Sequence, residues 1–254
     1  PNLRLFFQII FILFLVHFEN LRINGINISF IDGILLIEPF NYFFTILCFA
    51  VLINGSNFID GLNGLLSGYF ILVLISILYI TNYEINLSNN INEIVNLILI
   101  LTIIFYVFNF FGIVYLGDSG SYLLSFSIGF ILIKLQQDSS LISPYYIASM
   151  LWYPAFENLF SLLRRYFKKH KISSADNLHL HQLIFRFLKS RNVVKNNWVN
   201  TLSGIIIVSF NLPMFYLATK FYFHSIYLIS IIIFNLIFYL LIYYILSKNF
   251  KFKK

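Results

Sequence analysis

The sequence predicts an all-α integral membrane protein that crosses the bilayer about eight times. Hydrophobic residues make up 59% of the chain and charged residues only 11%, whereas soluble domains are about half apolar and about a quarter charged. Eight apolar runs are separated by shorter polar segments. Because backbone groups in lipid must be hydrogen-bonded within the segment itself, we expect these runs to be helices.

The length of each run is compatible with a membrane-spanning helix. Such a helix needs roughly 20 residues, with a range of about 17 to 25. The first and fifth runs are short, and flanking residues would extend them. Together the runs predict a single transmembrane domain, residues 1–254, with a basic loop at 164–198. In chain order the spans are predicted near 2–18, 40–55, 62–81, 94–112, 121–136, 142–163, 199–219 and 225–247.

The basic residues indicate how the chain is oriented. Eight alternating spans place both termini, the turns around Asp60 and Asp118, and the 164–198 loop on one side of the membrane. Cytoplasmic loops are enriched in Lys and Arg, so this side is predicted to be cytoplasmic. It carries 14 of the 17 Lys and Arg residues, and the other side has three, Arg22, Lys134 and Lys220.

The net charge of +7 does not indicate nucleic-acid binding. Much of the excess lies in one loop and the C-terminal tail, next to membrane spans, where anionic lipid headgroups are the nearer partner. Membrane lipid is therefore the expected partner, and nucleic acid is not. The single cysteine, Cys48, lies inside an apolar run and has no partner for an internal disulfide.

The first polar segment, residues 54–64, joins the second and third spans. Its glycines, Gly61 and Gly64, would let the backbone approach a ligand closely. The alternative is an ordinary turn between two helices, since Gly and Asn both suit turns. Its polar residues recur every three positions and would share one face of a helix end: Asn54, Asn57, Asp60 and Asn63.

The second segment, residues 117–121, precedes the fifth span and has the sequence Gly-Asp-Ser-Gly-Ser. A Gly-rich turn that leads into a helix offers free N–H groups and the positive end of the helix dipole, and both suit phosphate. Asp118 adds a hard oxygen ligand for Mg²⁺. The alternative is an ordinary N-cap, because Asp and Ser are common at helix starts.

The third segment contains His179 and His181, which share a side only if the chain between them is extended. From Leu180 an apolar stripe recurs with helical spacing, which predicts an amphipathic helix at the membrane interface. The alternative is a surface helix that contains histidines by chance. A zinc site is a poor fit, because two histidines without a nearby cysteine give too few ligands.

Glu157 is a further candidate, at the cytoplasmic end of the sixth span. An ionisable residue at membrane depth suggests a functional role. The alternative is a structural ion pair with Arg164 or Arg165, which follow on the same predicted helix.

Together these segments resemble the polyprenyl-phosphate N-acetylhexosamine-1-phosphate transferases. The family motifs Asn-x-x-Asn-x-x-Asp-Gly-x-Asp/Asn-Gly, Phe/Tyr-x-Gly-Asp-x-Gly-Ser and Asp-x-x-His-x-His match residues 54–64, 115–121 and 176–181, in that order. Asn63 replaces the second Asp of the first motif, and Gln182 replaces a third His. The family's paired aspartates are not in this chain, and residues 1–5 resemble the segment that follows them. We therefore expect an N-terminally truncated member.

The resemblance implies a specific reaction. A UDP-N-acetylhexosamine would donate its sugar phosphate to a polyprenyl (undecaprenyl) phosphate and release UMP, which initiates the lipid carriers of cell-envelope polysaccharides such as O-antigen. The cofactor would be Mg²⁺, with Mn²⁺ as an alternative. The protein would be a multi-pass protein of the bacterial inner membrane with a cytoplasmic active site, and the resemblance leaves a homodimer open.

The resemblance also implies residue roles. Asp118 would ligate Mg²⁺, and Tyr115 would stack on uracil. His179 and His181 would contact the donor phosphates. Substrate binding would involve Asp60 and further residues of the same motifs, Asn54, Asn57, Gly61, Asn63 and Gly117. The main alternative class is a transporter, which would place polar groups near the bilayer midplane, whereas these residues lie at predicted helix ends.

Overall fold

The computed structural model describes residues 2–84, 89–167 and 178–251, and within these ranges the protein is helical without strands, as predicted. Helix α4 continues through a π-helical turn, Ile80–Glu84. The helices are α1 Asn2–Phe18, α2 Ser29–Leu35, α3 Glu38–Ile59, α4 Leu65–Tyr79, α5 Asn89–Phe110, α6 Gly117–Asp138, α7 Pro144–Met150, α8 Trp152–Phe167, α9 Leu180–Ser190, α10 Asn196–Lys220 and α11 Ser225–Lys251.

Six helices within the described ranges are long and apolar enough to cross a membrane: α3, α4, α5, α6, α10 and α11. The protein is therefore a multi-pass membrane protein, but the predicted count of eight spans is not confirmed. Helix α1 contributes a shorter apolar helix, Phe6–Phe18. The predicted span 142–163 is divided into α7 and α8.

The helix is interrupted between α7 and α8, close to Pro154, and the Tyr69 side chain forms hydrogen bonds with the backbone at the interruption. Pro154 lacks an N–H and is best accommodated in the first turn of a helix, and α8 starts just before it. Tyr69 of α4 reaches into the break. Its hydroxyl donates to the Met150 carbonyl over 2.8 Å and lies 3.4 Å from the Tyr153 backbone N–H, which donates to it. The freed backbone groups are thus satisfied inside the protein, as lipid requires.

Helices α3 and α4 form the centre of the protein. Helix α3 packs against α1, α6 and α8, while α4 packs against α5 and α10. Contact between α3 and α8 is backbone to backbone, because a Cβ built on Gly55 would overlap the Pro154 carbonyl. The core stripe of α4 is almost fully buried: Leu65, Leu66, Tyr69, Phe70, Val73, Leu74 and Ile77.

Helix α9 has the amphipathic pattern expected from the sequence, but its apolar stripe faces protein. Leu180, Leu183 and Leu188 are buried, and the helix packs against α10 and α11. Those two helices supply the apolar cover that the membrane interface was expected to supply. This packing brings the start of α9, with its histidines, over the ends of the central helices.

Candidate active site

The C-terminal end of α3 meets the N-terminal end of α6. The Asn57 side chain donates through Nδ2 to Asp118 Oδ1 over 2.8 Å and to Ser121 Oγ over 3.2 Å. Gly117, with φ of 66°, begins α6, so Asp118 lies in its first turn. The helix therefore starts four residues before the predicted span. A carboxylate in the first turn is stabilised by the helix dipole.

Asp60 lies beside this contact as the C-cap of α3. Burial raises the pKa of Asp60 to about 7; the backbone N–H of Gly117, which donates to its carboxyl, opposes the rise, and the neighbouring charge of Asp118 adds to it. Two neighbouring carboxylates form a site that a cation would favour, because the cation stabilises both ionised forms.

The donor set at this point suits Mg²⁺. Mg²⁺ usually binds one or two carboxylates and completes its shell with phosphate and water. Asp60 and Asp118 would supply the carboxylates, and Asp118 lies in the first turn of α6, whose N-terminus would suit phosphate. Across the described part of the chain, three or more His, Cys, Asp or Glu residues nowhere gather as a metal-binding cluster.

The two histidines lie against the end of α3. His179 is extended, with φ of −70° and ψ of 147°, whereas His181 is in the first turn of α9, so their rings stack with centroids 5.5 Å apart. His181 packs on the backbone of Gly61: a Cβ built there would lie 3.1 Å from His181 Nε2. The ring of Phe58 contacts His179, with centroids 5.2 Å apart. The third polar segment, with its two histidines, therefore packs against the first polar segment, residues 54–64.

Glu157 has different partners from those expected. Its Oε1 is 2.9 Å from His179 Nδ1, and its Oε2 accepts a 2.8 Å hydrogen bond from the Tyr239 hydroxyl of α11. Arg164, one of the two arginines expected to pair with it, instead donates to the Leu178 carbonyl and the Tyr243 hydroxyl. The expected arginine pair is thus replaced by contacts to the histidine segment, since α11 covers this side of α8.

A second set of polar groups surrounds the turn between α3 and α4. The backbone N–H groups of Asn63 and Gly64 donate to the side-chain oxygens of Asn200 and Asn109, each over 2.6 Å. Sequence analysis missed both amides: Asn109 is a single Asn near the end of one apolar run, and Asn200 follows Asn196 and Asn197 at the start of another. They help to line a pocket of about 60 Å³ with Asp60, Gly61, Leu62, Asn63, Tyr115 and Leu116. Tyr115 is 73% exposed.

The structure gathers most of the candidate residues and separates others. The first motif does not present one face: Asn57 points to α6, while Asn63 contacts α10. Asn54 donates its amide to the Ala50 carbonyl one turn back in α3. Asp176, the first residue of the third motif, lies outside the described residues. The group brought together is Asn57, Asp60, Gly61, Gly117, Asp118, His179 and His181.

Comparison with known protein families shows which family the chain belongs to. Residues 1–136 match the family described as glycosyl transferase family 4, which is more than half of the 254 residues. The chain belongs to glycosyl transferase family 4. The match includes the first two polar segments, whereas the histidine segment lies beyond the matched residues of this family 4 chain.

Curated relatives agree with this membership. The family 4 chain is 30% identical over 174 residues to a probable undecaprenyl-phosphate N-acetylglucosaminyl 1-phosphate transferase of Bacillus subtilis (strain 168), covering 65% of the chain and 47% of the relative. It is 29% identical over 176 residues to an undecaprenyl-phosphate alpha-N-acetylglucosaminyl 1-phosphate transferase of Escherichia coli O157:H7, covering 66% of the chain and 47% of the relative. The chain thus spans about half the length of these relatives. No solved structure matches it.

Proposed function

We propose that the protein transfers an N-acetylhexosamine-1-phosphate from a UDP-sugar to polyprenyl phosphate and releases UMP. The observation that carries this proposal is the contact between Asn57 and Asp118 beside Asp60, which joins two carboxylates to a helix N-terminus. Phosphoryl transfer depends mostly on positioning and charge neutralisation, and this group offers both. The names of the relatives support the same reaction.

In this proposal each residue has a place in one displacement. An oxygen of the acceptor phosphate bonds to the β-phosphorus of the donor, and the bond from that phosphorus to the bridging oxygen breaks, so UMP leaves. Asp118, with Asp60, would hold Mg²⁺ or Mn²⁺, which neutralises diphosphate charge when bound. His179 and His181 would contact the donor phosphates, and the Asn57 amide holds Asp118 in place.

The pocket beside Asp60 would accept the uracil edge of the donor. Tyr115 is exposed and offers an aromatic face for stacking, while amides supply hydrogen-bond donors and acceptors. Stacking of a base on an aromatic side chain contributes about 1–3 kcal/mol. Asn63, Asn109 and Asn200 line the pocket, so amide groups are close to where the base would lie.

The lipid chain of the acceptor would lie in an apolar pocket of about 430 Å³ formed by α3, α6, α7 and α8. The pocket reaches Leu52 on α3, and a helix rises 1.5 Å per residue, so Leu52 is about 7.5 Å along α3 from Asn57. A phosphate held near Asn57 could therefore continue directly into an isoprenoid chain beside α3.

The proposal places the site at the cytoplasmic face of a bacterial inner membrane. The bias of basic residues supports this orientation. Asp60 caps the end of α3 and Asp118 lies in the first turn of α6, so the acidic groups lie at helix ends. A transporter would be expected to place such groups near the bilayer midplane.

The test is to supply the full-length protein with UDP-N-acetylhexosamine labelled at the β-phosphate, polyprenyl phosphate and Mg²⁺. A labelled lipid and free UMP should form, and added UMP should reverse the reaction, because one diphosphate bond replaces another. EDTA should stop both directions. Movement of labelled nucleotide sugar or lipid across vesicles without a lipid-linked diphosphate would instead identify a transporter.

A further inference from the structure

We propose that Glu157 is a positioning residue that keeps a proton on His179 Nδ1 and, with Tyr239, fixes the orientation of the histidine pair. The inference deepens the proposed function, on which the role of His179 rests. It concerns a side chain that lies outside the three polar segments and in a different helix from the histidines.

The contacts of Glu157 account for both of its carboxylate oxygens. Oε1 is 2.9 Å from His179 Nδ1 and accepts the Leu180 backbone N–H over 3.3 Å, while Oε2 accepts the Tyr239 hydroxyl over 2.8 Å. The side chain is 0% exposed. A buried charge is costly unless it is paired and hydrogen-bonded, and these donors meet that condition.

The partner of Nδ1 determines the tautomer of His179. An ionised carboxylate only accepts hydrogen bonds, so the Nδ1 that faces it must carry the proton. The other ring nitrogen, Nε2, is then the one that gains or loses a proton. When Nε2 carries a proton, the ring can donate it in a hydrogen bond to a phosphate oxygen. A carboxylate behind a functional histidine commonly fixes its tautomer and orientation in this way.

The same helices hold the residue just before the histidines. Arg164 lies two turns beyond Glu157 on α8 and donates to the Leu178 carbonyl over 2.6 Å and to the Tyr243 hydroxyl over 2.9 Å. Tyr243 is one turn beyond Tyr239 on α11. The short segment 178–180 is therefore tied to α8 and α11 at both ends.

Through these contacts, α11 would position the histidines without itself contacting the substrate. Fixing His179 also fixes His181, because their rings stack nearly parallel at 16° and His181 packs on Gly61. The chain of contacts runs from Tyr239 to Glu157, to His179, to His181 and to the turn that follows α3. A shift of Tyr239 would therefore also shift His181 and the turn that follows α3.

The first test is a double-mutant cycle in the full-length protein. Glu157→Gln keeps the shape but removes the charge, and kcat should fall by roughly 10²-fold. In a His179→Ala background the same change should cost less than about 3-fold, because there is no imidazole left to position. Glu93→Gln, at an exposed glutamate of α5, is the control for loss of a carboxylate charge. Equal losses in both backgrounds would show a merely structural role and overturn the inference.

The second test does not depend on turnover. The protein is labelled with ¹⁵N-histidine, and the His179 signal is assigned by its loss in His179→Ala. It should report a proton on Nδ1 in the wild type and a mixture of tautomers in Glu157→Gln. A wild-type ring protonated only on Nε2, or a tautomer unchanged in Glu157→Gln, would refute the inference even in an active enzyme. If the expected His179 signals are observed in a protein that does not form the lipid product, the proposed function is wrong, but the inference about Glu157 stands.

Discussion

Asn57 and Asp118 lie 61 positions apart in the chain and are joined by a hydrogen bond of 2.8 Å. The bond connects the last turns of α3 to the first turn of α6. It holds the Asp118 carboxylate beside Asp60. A site whose charges are already in place has little reorganisation left to make during the reaction.

Asp118→Asn should abolish transfer while leaving the fold intact. The carboxamide has the same shape but cannot supply the charge that a metal ligand needs, and the loss of several kcal/mol corresponds to at least about 10²-fold in rate. Lipid-product formation measures activity, and thermal melting in detergent measures folding. Asp138→Asn, at the exposed far end of the same helix, is the control. Activity retained at ordinary Mg²⁺ would remove Asp118 from the metal role.

Gly61→Ala should impair catalysis more than stability. The new Cβ would lie 3.1 Å from His181 Nε2, and the buried ring would have to shift, which can cost up to roughly 10²-fold in kcat/KM. Gly33→Ala is the matched control, because a Cβ there meets nothing within 4 Å. If the two variants turned over donor equally well, His181 would not need the position that Gly61 gives it.

Tyr115→Ala should raise the KM for the UDP-sugar, and Tyr115→Phe should not. Base stacking contributes about 1–3 kcal/mol, so the KM should rise about 5- to 150-fold. Tyr166→Ala on α8 provides the comparison, since its side chain is exposed to a similar extent, 72% against 73% for Tyr115. Steady-state kinetics with varied donor gives the answer. An unchanged KM in Tyr115→Ala would argue against uracil stacking.

Ala148→Phe should weaken use of the lipid acceptor alone. Ala148 lines the apolar pocket, so the added ring would occupy volume proposed for the isoprenoid chain. The KM for polyprenyl phosphate should rise about tenfold, equivalent to about 1.4 kcal/mol, with the donor KM unchanged. Leu123→Phe, at an exposed position of α6, is the control. A rise in both KM values would indicate general distortion rather than a lipid site.

Cysteine labelling should place Ser190 and Asn82 on opposite sides of the membrane. Both are exposed, and the only native cysteine, Cys48, can first be changed to Ala. An impermeant thiol reagent added to intact cells should label a cysteine at position 82 and leave one at position 190 unlabelled until the membrane is opened. Equal labelling from outside would contradict the predicted orientation.

The fold class could be predicted from the sequence because its long apolar runs must lie in lipid. There the backbone groups of each run have to be hydrogen-bonded within the run, as they are in a helix. The sequence did not predict that 142–163 would divide at Leu151, although Pro154 was a visible signal. What makes the break tolerable is Tyr69, which comes from another helix. Helix α9 followed its periodicity, but a pattern of apolar residues does not say whether protein or lipid covers them.

Residues of the candidate site that belong to sequence motifs could be predicted, whereas those that stand outside a motif were mostly missed. Asn109 and Asn200 lie in helices that are mostly apolar, and only the folded chain shows what they contact. Glu157 was noticed, yet its partner was expected among nearby arginines. The actual partners, His179 and Tyr239, lie 22 and 82 positions away, and such distant pairing leaves no local pattern.

The contact between Gly55 and Pro154 has a consequence for how the sequence can vary. A side chain at position 55 would overlap the Pro154 carbonyl, so Gly55 cannot be replaced while α3 and α8 stay this close. The pair lies two residues from Asn57 and three from Glu157. Both residues are buried, so a substitution that separates them would displace the parts of α3 and α8 that carry Asn57 and Glu157.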